Sequence, residues 1–244
     1  MHIMEIIFRN IKYSLYNIFS IVRDDVSVEI NTLNLSAIDM DGDIFWNSEM
    51  FLIPILLILR PKCAKVLLDF RFYQLENAKN LALAYGLNGS HYPYKNDVMN
   101  YKDIYWNSTS TIYAFNTGLI GIHAWNYYRI TIDKHWLQTK GYKILKNCAL
   151  FFQGLFDDNF ELKEIFNLNN NIEHDNALTR YYAINVIKYY IESSYELAYS
   201  VDEKFVQLYD VLKKNIVTTY DDLTITNSIN LPLNIRIVEE NINL

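Results

Sequence analysis

Apolar residues recur every three or four positions along most of this chain, and no other feature constrains its fold so strongly. In the first segment they are Ile7, Ile11, Leu15, Ile18 and Val22. Side chains with this spacing lie on one face of an α-helix, whereas a half-buried strand would alternate at every second residue. The sequence therefore predicts an amphipathic helix from Met4 to Val22.

Prolines, glycines and runs of Asn and Asp divide the rest of the chain into further helices. Because the residue before a proline resists helical geometry, we expect a helix from about Ser48 to end at Arg60 and a third to begin at Pro61. That third helix should reach about Tyr85 and end at Gly86. Further helices are predicted over residues 111–131, 134–155, from 175 or 176 to 199, and 202–214, with a short strand or hairpin near 160–166.

These segments make about seven helices in consecutive pairs, with long loops on alternate connections. Antiparallel helix pairs of this kind suit an α/α toroid or a helical repeat. No repeat of fixed period selects a solenoid. The sequence therefore predicts an all-α fold, in one large domain or two small ones.

Charge and hydropathy exclude two classes of partner. The net charge is −6 and no cluster of Lys and Arg is present, which argues against a nucleic-acid partner. The first helix contains Glu5, Arg9 and Lys12, so it lacks the uncharged stretch of a signal peptide. The apolar run from Phe51 to Leu59 is too short to cross a bilayer. We therefore expect a soluble, cytoplasmic protein with no membrane partner.

Cysteine and histidine usage indicates neither a metal nor a cofactor. Cys63 and Cys148 lie far apart in apolar helical contexts, which is typical of buried free thiols. The spacing of His2, His91, His123 and His135 is not that of metal ligands, and lone histidines are usually structural. Neither a glycine-rich phosphate loop nor a nucleotide fingerprint occurs. We expect no cofactor and no metal.

Several ordered motifs resemble those of one enzyme family. The segment Gly42–Phe51 with Pro54 after it resembles the signature Gly-His-x-Phe-Trp-Asp-x-Glu-x-Phe-x-x-Pro. The stretch that begins at Pro61 resembles Pro-x-x-Ala-x-x-Leu-Leu-x-Tyr-Arg, and Asp175–Thr179 resembles Asn-Asn-Ala-Tyr-Thr. Together they resemble glycoside hydrolase family sixty-five, which contains maltose, trehalose and kojibiose phosphorylases, acid trehalases and glucosylgalactosyl-hydroxylysine glucosidases.

The resemblance implies a particular architecture. The family's catalytic domain is an (α/α)6 barrel of twelve helices in six pairs, usually preceded by a β-sandwich. By this comparison residues 1–244 form one incomplete (α/α)6 toroid of about seven helices in antiparallel pairs. The resemblance also implies that this chain lacks the N-terminal β-sandwich and the last third of the barrel, which carries the phosphate-binding loop.

The resemblance further implies the inverting cleavage of α-glucosidic bonds in a disaccharide or glucosyl conjugate. In that reaction a carboxylic acid protonates the leaving oxygen while water or phosphate attacks the opposite face of the sugar. The family's acid is the Glu of a Pro-Asp-Glu-Tyr-His loop, and without gaps Asn170 takes its place here. An amide cannot donate that proton, so Asn170 cannot act as the acid. If the loop carries a short deletion relative to the family, Glu173 takes the place of the acid instead. The alternative is that Glu173 is a solvated residue at a helix N-terminus.

The family's signature also implies sugar-binding residues. Trp46 and Asn47 correspond to a Trp-Asp pair that holds a sugar, and Trp46 is either a stacking platform or a core aromatic residue. Asn47 keeps an acceptor oxygen but lacks the charge, so its bonds to sugar hydroxyls would be weaker. Glu49 matches the signature and either orients the site or is a surface residue in the first helical turn.

The next family motif is altered. Where the family has polar residues that face the sugar, this chain has Tyr113, Phe115 and Thr117. With Asn47 and Asn170, these replacements concentrate around one expected cavity. That concentration indicates weak or lost catalysis.

The expected function therefore has alternatives. The chain is either a glycosidase or disaccharide phosphorylase of weak or no activity, a silent sugar-binding remnant, or a helical interaction scaffold. Its expected partner is an α-glucoside sugar, with inorganic phosphate as the alternative nucleophile. An incomplete barrel would expose apolar helix faces, so we also expect self-association or a partner chain that completes the barrel.

Overall fold

The computed structural model describes residues 2–21, 44–93, 95–96, 114–163, 165–166, 172–173, 177–214, 225–226 and 232–233. Within these ranges the chain is predominantly α-helical. The α-helices are α1 (His2–Ile21), α2 (Ile53–Leu59), α3 (Pro61–Tyr73), α4 (Leu75–Ala84), α5 (Ala114–Thr131), α6 (Lys134–Trp136), α7 (Tyr142–Gly154), α8 (Ala177–Glu196) and α9 (Glu203–Lys214). The predicted all-α class is confirmed.

Two short π-helical segments are built into the helical runs. We call Ser48–Leu52 π-turn 1, which leads directly into α2, and Leu137–Gly141 π-turn 2, which joins α6 to α7. Residues 134–154 therefore form one continuous rod. A Cβ atom at Gly141 would lie 2.5 Å from the Trp136 ring, so only glycine lets the backbone approach that ring.

The predicted helix boundaries are confirmed at the proline and the glycine but not between them. Arg60 is non-helical, at φ −146° and ψ 71°, and separates α2 from α3. Gly86 adopts a φ of +72° just after α4. The predicted continuous helix from Pro61 to Tyr85 is instead divided at Gln74, a single residue at φ −80° and ψ −2° between the end of α3 and the start of α4. The Gln74 side chain is buried and accepts a hydrogen bond from Arg71, which fixes the break.

Outside the helices, the described residues include three pairs of two-residue antiparallel strands. β1 (Ile44–Phe45) pairs with β2 (Lys95–Asn96), β3 (Ile165–Phe166) with β4 (Ile172–Glu173), and β5 (Ile225–Thr226) with β6 (Pro232–Leu233). Strand β3 confirms the short strand predicted near residues 160–166. The β1–β2 pair joins the chain just before π-turn 1 to the chain just after Pro93.

Three helices, which we call the inner helices, run in the same direction. At the turn that leads into α2, Trp46 contacts Phe115 of α5 while the Glu49 carbonyl contacts His123 of α5, so residue numbers rise together in the two segments. Along α5 and α8, Gly118 packs against Tyr182 and Gly121 against Val186. The amino-terminal ends of α2, α5 and α8 therefore lie at one end of the molecule.

The rod of residues 134–154, which connects α5 to α8 along the chain, runs antiparallel to the inner helices. Tyr127 packs edge-on against Trp136 at 4.6 Å, while Gly121 lies against Cys148 much further along the rod. The core lies between these layers, and it consists of buried aliphatic and aromatic side chains such as Leu56, Leu68, Ile120, Leu145, Phe151, Phe152, Val186 and Tyr190. This arrangement of parallel inner helices and antiparallel outer helices is the expected fragment of an α/α toroid.

The Asp69 carboxylate connects helix α3 to the rod of residues 134–154. The Trp136 indole N–H donates to Asp69 Oδ1 at 2.6 Å, and Lys140 Nζ lies 2.9 Å from Asp69 Oδ2. In the part of the chain that the structure describes, the helices are too short or too polar to cross a membrane.

Candidate active site

The residues that the signature motif singles out lie together at the amino-terminal end of the inner helices. Trp46 is half-buried, and its ring meets Phe115 of α5 edge-on at a centroid distance of 5.6 Å. Phe51 lies 6.0 Å away on another side of the same ring. Asn47 is exposed, and its side chain makes no hydrogen bond that caps π-turn 1. This corner therefore presents one aromatic ring with an exposed amide beside it.

Glu49 is buried in π-turn 1, which follows Trp46 and Asn47, and is held by an arginine from helix α3. Arg71 Nε donates to Glu49 Oε1 at 2.6 Å, and Arg71 Nη2 is 2.6 Å from the same oxygen. Both side chains are almost fully buried, at 2% and 1% exposure. The alternative that Glu49 is a surface residue is wrong, because its side chain is buried. An ion pair removed from water persists only when both charges are compensated.

Two oxygens of this cluster have no hydrogen-bond partner among the described residues. Arg71 Nη1 also donates to Gln74 Oε1 at 3.1 Å. Glu49 Oε2 and Ser48 Oγ are buried, and among the described residues neither has a hydrogen-bond partner. Buried polar atoms are usually paired, so these two oxygens are candidates for contact with water or a ligand hydroxyl.

His123 of α5 contacts the backbone of the same turn. Its Nε2 lies 2.8 Å from the Glu49 carbonyl oxygen, which can only accept, so Nε2 carries the hydrogen and donates. Burial lowers the pKa of His123 to about 4, although the hydrogen bond to the Glu49 carbonyl opposes that shift. The imidazole is therefore neutral near pH 7.

At the start of α5 the altered family positions have packing and structural roles. Phe115 contributes the apolar contact to Trp46 described above. Thr117 Oγ1 accepts a hydrogen bond from the Tyr92 backbone N–H at 2.9 Å. Asn116 Nδ2 donates to the Pro93 carbonyl at 2.7 Å. These bonds hold the chain before β2 against α5, so the Thr117 hydroxyl is engaged with protein. Tyr113 lies outside the described residues.

The candidate acid is described only through its backbone. Glu173 pairs with Ile165 in the β3–β4 ladder and precedes the first residue of α8, Ala177, by four positions. Four extended residues span at most about 14 Å, so the Glu173 backbone lies within that distance of the amino-terminal end of α8. The Glu173 side chain and Asn170 lie outside the described residues. Their assignment as the acid and its replacement stays a prediction.

Two supporting residues, Arg71 and His123, were not predicted as part of the site. Arg71 belongs to the stretch that resembles the family's Tyr-Arg motif, but the sequence does not show which carboxylate it pairs with. His123 was interpreted as an isolated structural histidine. A buried Glu in an otherwise apolar turn needs a cationic partner, and that requirement is the signal that points to Arg71.

Comparison with known proteins identifies the family. The sequence profile described as the glycosyl hydrolase family 65 central catalytic domain matches residues 12–230. A kojibiose hydrolase from Flavobacterium johnsoniae is 30% identical over 188 residues, which cover 74% of this chain and 28% of that protein. A kojibiose phosphorylase from Thermoanaerobacter brockii is 24% identical over 234 residues, which cover 87% of this chain and 29% of that protein.

The fold is also found in a solved structure. A candidate kojibiose phosphorylase from the human microbiome superposes with a TM-score of 0.53 at 18% identity, over 70% of this chain and 27% of that chain. At this identity the likeness shows the fold alone. The chain thus spans less than a third of the length of these relatives. Because the family profile matches most of the sequence, and because its signature residues lie at the shared amino-terminal end of parallel inner helices, the chain belongs to glycosyl hydrolase family 65.

Proposed function

We propose that this protein binds an α-linked glucoside at the corner formed by Trp46, Asn47 and Glu49. We also propose that it cleaves the glycosidic bond slowly or not at all. The observation that carries the proposal is the buried Glu49–Arg71 ion pair in the turn that follows Trp46. An ion pair of this kind fixes the geometry of that turn. A half-buried tryptophan beside an exposed amide supplies a stacking surface and hydrogen bonds, which are the contacts that a sugar uses.

The substrate class follows from the relatives. The hydrolase and the phosphorylase described above are both named for kojibiose, so an α-linked glucose disaccharide is the proposed ligand. Water or inorganic phosphate would be the nucleophile in an inverting reaction. We propose residues 1–244 as a single partial barrel domain that contains this site.

Three observations support a low rate of turnover. Asn170 stands where the ungapped comparison expects the general acid, and an amide cannot supply the proton. Phe115 packs on Trp46 where the family has a polar side chain. The hydroxyl of Thr117 accepts a hydrogen bond from the Tyr92 backbone. Residual activity, if measured, would have to use Glu173.

An assay of glucose release tests this proposal. Purified protein is incubated with kojibiose, maltose and trehalose, each with and without inorganic phosphate, and free glucose and glucose 1-phosphate are measured. We expect product formation at or near the blank for every substrate. The matched variants are Glu173→Gln, which removes the candidate acid, and Glu161→Gln, which neutralises an exposed carboxylate nearby in the chain.

The variants separate the outcomes. Rapid turnover by the wild-type protein that Glu173→Gln abolishes and Glu161→Gln leaves unchanged would contradict weak catalysis and identify Glu173 as the acid. Rapid turnover retained in both variants would remove Glu173 from that role. Measurable slow turnover that depends on Glu173 agrees with the proposal.

A further inference from the structure

The turn that carries Glu49 lacks one backbone hydrogen bond that a helix would normally provide. In π-turn 1 the Ile53 N–H donates to the Ser48 carbonyl, five residues earlier. In the same register the Glu49 carbonyl would receive the N–H of residue 54. That residue is Pro54, which has no N–H to donate. The sequence therefore leaves the Glu49 carbonyl without its helical donor.

A side chain from another inner helix supplies the donor. His123 Nε2 lies 2.8 Å from the Glu49 carbonyl oxygen, and the imidazole is only 5% exposed. An unpaired buried carbonyl is unfavourable, because it loses water without gaining a partner. The bond from α5 thus replaces the one that Pro54 removes, and it joins α5 to π-turn 1.

We propose that His123 is a positioning residue for the candidate sugar site, and that it acts by completing the backbone of the Pro54-interrupted turn. Glu49 is then fixed at both ends, since His123 holds its carbonyl and Arg71 holds its carboxylate. The Met50 N–H donates to the Trp46 carbonyl at 3.1 Å, so the same turn sets the position of the aromatic ring. π-Helical turns inside α-helices are common at functional sites. The role in sugar binding rests on the proposed function, whereas the role in positioning does not.

Substitutions at both residues test the inference without any ligand. His123→Gln places an amide N–H close to the position of Nε2, and His123→Met has a similar size without a donor. Each is made in the wild-type background and together with Pro54→Ala, which returns a backbone N–H to the turn. We expect His123→Met to lower the melting temperature by roughly 2 to 10 °C in the wild-type background. With Pro54→Ala present, the same substitution should cost much less, and His123→Gln should cost little in either background.

A spectroscopic signal follows the position of Trp46 directly. Protein labelled with 5-fluorotryptophan gives a fluorine resonance for each tryptophan, and Trp46→Phe identifies the resonance of Trp46. We expect His123→Met to shift or broaden that resonance and Pro54→Ala to restore it. The resonance of Trp136, whose indole N–H is bound to Asp69 of α3, is the internal control and should not move.

Two results would overturn the inference. An equal loss of melting temperature for His123→Met with and without Pro54→Ala would show that the histidine does not replace the missing donor. An unchanged Trp46 resonance in a folded His123→Met protein would show that it does not position the corner. If titration with kojibiose gives no binding to the wild-type protein, the proposed function fails while both of these tests still stand.

Discussion

At the scale of single residues, several buried polar groups surround Glu49. The carboxylate is paired with Arg71, the backbone carbonyl with His123, and the arginine with Gln74. Arg71 comes from α3 and His123 from α5, so Glu49 is held by contacts between helices. Loss of any one partner should therefore lower the free energy of unfolding.

Removal of the arginine tests the ion pair. Arg71→Met should lower the free energy of unfolding by about 3 to 5 kcal/mol, because it leaves the buried Glu49 carboxylate without a counter-charge. Urea denaturation measures the change. The combined substitution Glu49→Gln with Arg71→Met should be less destabilised than Arg71→Met alone. Lys79→Met, which breaks the exposed Lys79–Glu76 pair, should change stability by less than about 1 kcal/mol. A small effect of Arg71→Met would contradict the pair's role.

The burial of two histidines should make the stability of the fold depend on pH. Burial lowers the pKa of both His91 and His123 from 6.5 to about 4, so both are neutral in the folded state. The unfolded chain binds more protons between pH 6.5 and pH 4, and stability is lost as the pH falls through that interval. Each histidine should account for about 2 kcal/mol between pH 7 and pH 5, above the range where most carboxylates titrate.

Urea denaturation at a series of pH values measures this loss. His123→Gln should remove roughly half of it, because the amide does not titrate while the His91 contribution remains. A stability that stays level from pH 7 to pH 5 in the wild-type protein would contradict the neutral, buried state of both histidines.

At the scale of helices and turns, the junction between α5 and the outer rod is strained. Ile132 has a φ of +54°, which is unfavourable for a β-branched residue. Its side chain is 64% exposed, so little packing opposes a substitution. Ile132→Gly should raise the free energy of unfolding by about 1 kcal/mol. Ile130→Gly, at an exposed position inside α5, should lower it by a similar amount. Destabilisation by Ile132→Gly would contradict the strain.

The sequence predicts the helices more completely than it predicts the contacts within the site. The spacing of apolar residues and the breaks at Pro61 and Gly86 predicted the helices because those signals are local. The break at Gln74 and both π-turns were not predicted, because the spacing of apolar residues continues across them while only the backbone hydrogen-bond register changes. The signature motif indicated Trp46, Asn47 and Glu49, whereas the pairing of Glu49 with Arg71 and His123 depends on how three helices pack.

At the scale of the whole molecule, the parallel inner helices place their amino-terminal ends together, and the candidate site lies there. Phe51, Ile55 and Ile58 form an exposed apolar stripe along π-turn 1 and α2. Exposed apolar patches often mark interfaces. The expectation that self-association or a partner chain covers apolar surface stays a prediction.

Titration calorimetry with kojibiose tests the central claim most directly. We expect saturable binding by the wild-type protein, loss of that binding in Trp46→Ala, and retention of it in Tyr195→Ala. Tyr195 is the matched control, because it is an exposed aromatic residue near the carboxyl-terminal end of α8, away from the candidate site. Equal affinity in Trp46→Ala and in the wild-type protein, or no binding of kojibiose, maltose or trehalose by the folded wild-type protein, would contradict a sugar site at the Trp46 corner.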